Sequence, residues 1–244
     1  MTEVVLFDLD DTLFRHRDAV EHGVLHHRRS HGGALAAADD RAEFARWHEL
    51  EEHHYHRYLS GELDFFEQRR ARARDFVSGY GVDLQADGAA DDWFAGYLVH
   101  YRSAWKLYDD VHPALDTLRA QSPGVRIGVI TNAALSFQLE KIHAIGLGPH
   151  LEHVIASGEV GAAKPDARIF EHAASVFGVP LGNCAYVGDR LETDAIGAAH
   201  ASMRGVWLCR DRAASAEEES GAAGATVDIL HSLSELPALL ARGV

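Results

Sequence analysis

Short apolar runs alternate with stretches in which apolar side chains recur every three or four positions, and this alternation covers most of the 244 residues. The first run, Val4–Leu9, reads as a buried strand that ends among carboxylates. After Asp109-Asp110 the alternation becomes regular. It predicts a helix over Pro113–Ala120, a strand over Val125–Thr131, a helix over Ala134–Ile145 and a strand over His153–Ala156. There follow a helix over Ala167–Phe177, a strand over Cys184–Val187, a helix over Thr193–Ala201 and a strand over Gly205–Cys209. A last strand near Thr226–Ile229 precedes a helical tail, Leu233–Ala241, and Ala213–Ala225, rich in Ala, Glu, Ser and Gly, reads as an exposed loop. Strands and helices in strict alternation imply an α/β protein, a doubly wound, Rossmann-like parallel sheet covered on both faces.

Between Arg15 and Trp105 the pattern changes. No strand run occurs there, and Phe44, Trp47, Leu50 and Tyr58 fall at helical spacing, with breaks near Gly32-Gly33, Gly61 and Gly79–Gly81. Four helices are expected. The helical block therefore interrupts the α/β pattern directly after its first strand. The expected domains are a discontinuous core, 1–14 with 106–244, and an inserted helical-bundle cap, 15–105.

Candidate chemistry sits where predicted strands end. Asp8-Leu9-Asp10-Asp11-Thr12 closes the first strand, and two residues apart on a continuing strand Asp8 and Asp10 would leave on one side. Clustered carboxylates repel and desolvate one another, a cost that a cation or a catalytic task offsets. Three further sites end later parallel strands, the edge where open α/β sheets bind ligands. Thr131-Asn132 offers a hydroxyl and an amide, Lys164-Pro165 carries one of only three lysines, and Gly188-Asp189 is followed by Asp194 at the expected start of a helix. Each alone has an ordinary reading, as a polar turn, a solvated charge or a helix N-terminal acid. Together they suggest phosphoryl transfer, in which positioning and charge balance carry the chemistry. A carboxylate serves as nucleophile, and a hard divalent ion, most naturally Mg²⁺, ties it to the phosphate. Lys164 and Thr131 hold phosphoryl oxygens, while Asp10 protonates the leaving oxygen and later activates water.

These motifs, Asp8-x-Asp10-x-Thr12, Thr131-Asn132, Lys164-Pro165 and Gly188-Asp189 followed by Asp194, resemble those of the haloacid dehalogenase superfamily. The resemblance is to its aspartate-nucleophile phosphatases, in the branch with a helical (C1-type) cap inserted after the first strand. It implies that Asp8 is the nucleophile and a Mg²⁺ ligand, and that Asp10 is the acid/base whose backbone carbonyl also reaches the metal. It further implies that Thr131 and Lys164 contact the phosphate and the nucleophile, that Asn132 helps hold the phosphate or its ester, that Asp189 is a metal ligand, and that Asp194 sits in or just behind the metal shell. Dehalogenases of the superfamily lack an acid two residues after the nucleophile, so Asp10 points to phosphate chemistry. Arg190 departs from the small polar residue often found beside the metal aspartate. The same core serves phosphomutases and silent binding modules, which stand as the alternatives to a small-molecule phosphatase. Nucleotides, sugar phosphates and similar metabolites all remain open as substrates.

Composition narrows the partners. With 23 Lys plus Arg against 37 Asp plus Glu the net charge is −14, which argues against a general nucleic-acid binder. The apolar share of 47% supplies a real core. No apolar run reaches the roughly eighteen residues of a membrane span, and no signal peptide is evident. Two cysteines, Cys184 and Cys209, make no disulfide framework, so a reducing, cytoplasmic setting is expected. Ten of the 17 histidines lie in the predicted cap. His48 and His53 are five apart rather than four, and the lone pair His27/His31 lacks a third ligand, so they read as solvated helix faces, with one or two of them lining the cleft as the alternative. The basic cluster Arg69, Arg70, Arg72 and Arg74 reads either as an anion contact or as surface pairing with Glu62, Glu67 and Asp75. The cap aromatics mostly read as its core.

Overall fold

The computed structural model describes residues 2–210 and 212–242, and these fall into two compact units, Met1–Arg15 with Lys106–Val244, and His16–Trp105. Among the described residues the first unit holds one six-stranded sheet in the order β3-β2-β1-β4-β5-β6, every neighbouring pair parallel. The strands are β1 (Val4–Phe7), β2 (Arg126–Thr131), β3 (His153–Ala156), β4 (Cys184–Gly188), β5 (Arg204–Leu208) and β6 (Asp228–Leu230). Their runs are apolar without alternation because helices cover both faces, and β1, with all four residues buried, lies at the centre. The sequence order reverses on either side of β1, which pairs with both β2 and β4. Open α/β sheets bind ligands beyond the strand ends at such a switch point.

The second unit contains α1 (His16–Ser30), α2 (Gly33–Ala37), α3 (Asp40–Leu59), α4 (Phe65–Val77) and α5 (Asp87–Ser103). The expected breaks occur, but five helices form rather than four. The additional boundary is Asp39, whose side chain accepts the Ala42 amide and caps α3. Asp64 caps α4 in the same way, with Glu67 bonding back to the Asp64 amide. Trp47 is the centre of this unit's core, packed on Phe76 at 5.0 Å and Tyr97 at 4.7 Å between ring centroids. Helices α1 and α5 approach closely at Gly23, where any Cβ would lie 2.8 Å from the Tyr97 ring.

The remaining helices belong to the α/β unit: α6 (Val111–Gln121), α7 (Leu135–Ala144), α8 (Ser157–Val160), α9 (Ala167–Phe177), α10 (Gly197–His200), α11 (Ala216–Gly224) and α12 (Leu236–Ala241). Helix α9 buries Ile169, Phe170, Ala173, Ala174 and Phe177 against the sheet, the spacing of one apolar helix stripe. Two expectations need correction. The supposed loop Ala213–Ala225 contains α11, because Ser215 and Glu218 form a reciprocal capping box that starts a helix in an otherwise weak segment. The expected helix Thr193–Ala201 is a π-helical turn, Leu191–Ile196, running into α10, so Asp194 does not open a helix.

Candidate active site

β1 ends at Phe7, but the Asp8 amide still donates to the Val187 carbonyl at 2.8 Å, which holds Asp8 in register with β4. The chain then turns tightly. The Leu13 and Phe14 amides both return to the Leu9 carbonyl, Asp11 takes a positive φ of 58°, and Asp10 bridges Phe14. Asp8 and Asp10 therefore do not leave together as on a continuing strand. The Asp8 carboxylate joins one polar cluster and the Asp10 carboxylate another.

Lys164 organises the first cluster. Its buried Nζ donates to Asp8 Oδ1 at 2.6 Å, to Asp194 Oδ1 at 2.7 Å and to the Tyr186 hydroxyl at 2.8 Å. An ammonium has three protons, and each finds an acceptor. Since Lys164 cannot accept, the Tyr186 oxygen receives its proton and sends its own toward the Ile130 carbonyl at 3.1 Å or Asp194 Oδ1 at 3.3 Å. The Lys164 backbone is braced by Asn132, whose Nδ2 donates to the Lys164 carbonyl at 2.9 Å while its Oδ1 accepts the Lys164 amide at 2.8 Å. The Asn132 side chain thus holds the lysine loop, where the family resemblance implied a phosphate contact.

Asp194 is fixed at both oxygens, because the Arg190 amide donates to Oδ2 at 3.0 Å. The π turn makes this possible: the Arg190 carbonyl accepts from both the Asp194 and Ala195 amides, at 2.9 and 3.4 Å. Gly188 leaves room for that carboxylate against β4. Asp189 follows, its carbonyl held by Trp207 Nε1 at 2.8 Å and its Oδ1 3.5 Å from the Thr12 hydroxyl.

Carboxylate oxygens of Asp8, Asp189 and Asp194 all lie within 4.8 Å of one another. Burial pushes the Asp8 carboxyl up to about 7, with Asp194 and Asp10 adding to the effect and Lys164 opposing it. Burial also holds Asp189 well above the usual carboxylate range, with Asp194 and Asp8 next in effect. Burial alone would lower the Lys164 ammonium, but Asp194 and Asp8 outweigh it and hold it above its ordinary value. Two of the three acids bond the one ammonium, and the three together hold more negative charge than the site ionises comfortably without a further cation. The donors are all oxygen, the set that suits a hard divalent ion.

The second cluster was not foreseen. Lys141 Nζ donates to Asp10 Oδ1 at 2.5 Å, and Gln138 Nε2 donates to Asp10 Oδ2 at 3.1 Å and to Thr131 Oγ1 at 2.7 Å. Thr131, the last residue of β2, is buried and close to the site's edge as expected. Tyr186, Gln138 and Lys141 escaped the sequence reading. Tyr186 sits inside an apolar strand run, while Gln138 and Lys141 stand seven and ten residues after Thr131, a helical spacing that could have drawn attention to both.

In the helical unit the arginines take other partners than the acids nearest in sequence. Arg70 pairs with Asp91 and Asp87, Arg74 with Asp87, and Arg72 with Glu51, whereas Glu62 pairs with Arg57 and Asp75 with His54. Arg69 lies over Phe65 at 3.9 Å and Phe94 at 5.1 Å, and burial pulls its guanidinium down to about 10. Arg69 and Arg70 line a cavity of about 390 Å³ with Phe66, Asp91, Phe94, Ala95 and Leu98. His27 and His31 meet at 3.2 Å, and among the described residues no three histidines close on one point; His27, packed on Trp93 at 4.6 Å, and His54, bonded to Asp75 at 2.8 Å, are buried rather than on solvated helix faces.

A family model for haloacid dehalogenase-like hydrolases matches residues 2–202. The chain belongs to that family. It is 30% identical over 216 residues to the glyceraldehyde 3-phosphate phosphatase of Methanopyrus kandleri, covering 87% of this chain and 86% of the relative. It is also 38% identical over 109 residues to the phosphoserine phosphatase of Thermus thermophilus, covering 45% of this chain and 43% of that enzyme. The chain spans about half the length of several other curated relatives that it matches. Among solved structures, the HAD-hydrolase YfnB from Bacillus subtilis, bound to magnesium, superposes with a TM-score of 0.76 at 20% identity, covering 98% of both chains. No helix among the described residues is long and apolar enough to cross a membrane.

Proposed function

We propose that this haloacid dehalogenase-like hydrolase is a Mg²⁺-dependent phosphatase that hydrolyses a small phosphomonoester through an aspartyl-phosphate on Asp8. The observation that carries the reading is the arrangement around Asp8. Its carboxylate lies 2.6 Å from the Lys164 ammonium and within 4.8 Å of Asp189 and Asp194, while a second acid, Asp10, stands apart on its own donors. Its curated relatives are named as phosphatases, which supports the same class of substrate. Asp8, Asp189 and Asp194, with the backbone carbonyl of Asp10, would hold the Mg²⁺. When bound, that ion would cancel the repulsion between the acids and an anionic phosphate.

The chain's own residues then act in two steps. An Asp8 oxygen bonds to phosphorus as the ester P–O bond breaks, and the departing oxygen keeps that electron pair and takes a proton from Asp10. Water then attacks phosphorus and gives a proton back to Asp10, releasing phosphate and restoring the Asp8 carboxylate. Lys164 neutralises the nucleophile and, with the Thr131 hydroxyl, steadies the phosphoryl oxygens. Asn132 acts by fixing the Lys164 loop. The helical unit acts as the cap that selects the substrate, with Arg69, Arg70 and Arg72 as the candidates for an anionic or polar group. Both cysteines are buried and form no disulfide, in keeping with a reducing cytoplasm.

Asp8→Asn tests the assignment. Hydrolysis of 4-nitrophenyl phosphate with Mg²⁺ should fall by more than about 1,000-fold, the scale of a lost nucleophile, while circular dichroism stays unchanged. Wild-type chelated with EDTA should lose turnover equally. Retained activity in the folded variant would sink the nucleophile assignment.

A further inference from the structure

The buried polar pair on α7 has no part in the chemistry as drawn. Gln138 and Lys141 are each 1% exposed, and both reach back from the helix that follows β2. They stand one turn apart, so they share a face. Lys141 Nζ lies 2.5 Å from Asp10 Oδ1 and 4.6 Å from the centre of the Phe14 ring. Gln138 Nε2 lies 3.1 Å from Asp10 Oδ2 and 2.7 Å from Thr131 Oγ1.

Such burial is costly. A lysine withdrawn from water forfeits hydration that one carboxylate only partly returns. The Gln138 carbonyl oxygen is also buried with no hydrogen-bond partner. A group left in that way costs about 1–3 kcal/mol. In the orientation found, the Gln138 amide nitrogen faces both Asp10 and the Thr131 hydroxyl, at 3.1 and 2.7 Å, and the amide oxygen is what is left without a partner. The Asp10 side chain itself remains 31% exposed and would not need two buried donors merely to be solvated.

We propose that Lys141 and Gln138 are positioning residues. They fix the Asp10 carboxyl group in place, and Gln138 ties it to the Thr131 hydroxyl, so that the acid/base and the phosphate-holding hydroxyl keep one spacing. The inference rests on the phosphatase reading above and on Asp10 as its acid/base. The carboxyl group so held is the one that, in the phosphatase reading, gives a proton to the leaving oxygen and takes one back from water. A misplaced Asp10 harms that transfer most when the leaving oxygen is a poor one, because a nitrophenolate departs without needing a proton.

The test is Lys141→Met, with Gln138→Met beside it, assayed on 4-nitrophenyl phosphate and on glycerol 2-phosphate. For Lys141→Met, kcat on the glycerol ester should drop about 100-fold and on the nitrophenyl ester less than about 10-fold, within the usual range for a general acid. KM should move little on either, and Lys141→Arg should restore much of the loss. Methionine can fill the slot beside Phe14, and the Asp10 side chain, half-buried, stays accessible to solvent. If Lys141→Met nevertheless fails to fold, Gln138→Met must show the same leaving-group dependence while Lys141→Arg stays near wild type on both esters. Equal losses on both esters, a loss confined to KM, or no loss at all would overturn the positioning role. Wild type active on both esters and Asp8→Asn inactive on both leaves the phosphatase reading standing whichever way the α7 variants behave. An inactive wild type overturns both.

Discussion

Gly188→Ala is a single methyl group placed where the structure has least room for one. A Cβ on residue 188 would lie 2.4 Å from Asp194 Cγ and 2.5 Å from Asp194 Oδ2, whereas ordinary contact begins near 3.4 Å. About 1 Å must be found. β4 cannot readily yield it, because Gly188 is paired in register with Trp207 of β5. The Asp194 carboxylate must move instead, and it is pinned by Lys164 at 2.7 Å and by the Arg190 amide at 3.0 Å. A shift of that size carries both contacts beyond hydrogen-bonding distance. Losing one charge-assisted bond costs about 1.5–3 kcal/mol, and a buried ion pair broken on one side costs about 3–5 kcal/mol. We therefore expect about 3 kcal/mol of destabilisation and a large loss of metal-dependent hydrolysis. Urea unfolding at pH 7 measures the first, and phosphate release at several Mg²⁺ concentrations the second. Gly182→Ala and Gly148→Ala are the controls, since a Cβ at either position meets nothing within 4 Å. Glycine-to-alanine changes at unstrained positions are neutral or slightly stabilising. A Gly188→Ala protein within about 0.5 kcal/mol of wild type and within twofold of its activity would refute the steric argument; this threshold is the usual scatter of harmless substitutions.

Tyr186→Phe removes the hydroxyl that receives a Lys164 proton and bonds the Ile130 carbonyl, and should cost about 1–2 kcal/mol in urea unfolding. Unaltered stability would show that the phenol is incidental. Burial, with His31 and His100 nearby, pulls His27 from 6.5 down to about 4. The folded protein keeps this ring neutral while the unfolded chain takes up a proton below 6.5, so stability is lost as pH falls from 6.5 towards 4. Between pH 7 and pH 4.5 the wild type should lose up to about 3 kcal/mol more than His27→Gln, and parallel pH profiles would count against it.

The sheet and the carboxyl-edge placement of Asp8, Thr131, Lys164, Asp189 and Asp194 were legible because buried parallel strands leave long apolar runs, and polar residues that end them stand out. Less legible was what the side chains do to one another. Nothing in Asp8-Leu9-Asp10 announces that the chain folds over at Leu9 and sends the two acids to different ammonium groups. Gln138 and Lys141 carry no sign of burial in the sequence, since burial of a single lysine is decided by what packs against it. The π turn at Leu191–Ile196 carries no local signature, and it is what seats Asp194 between Lys164 and the Arg190 amide. In the helical unit the partners of Arg70, Arg72 and Arg74 come from α3 and α5, so proximity in sequence pointed to the wrong acids.

The position of β1 has a consequence for synthesis on the ribosome. Val4 pairs with Arg126 on one side and Cys184 on the other. Roughly 120 residues must be added before the first neighbour exists and roughly 180 before the second, or about 6 to 36 s at 5–20 residues per second. During that interval the nascent chain carries its most deeply buried strand with nothing to pair it, while the whole of His16–Trp105, a compact unit by itself, is already available to fold. A strand of only four residues that runs straight into Asp8, Asp10 and Asp11 is short and well charged at its end, which limits its capacity to recruit another chain while it waits.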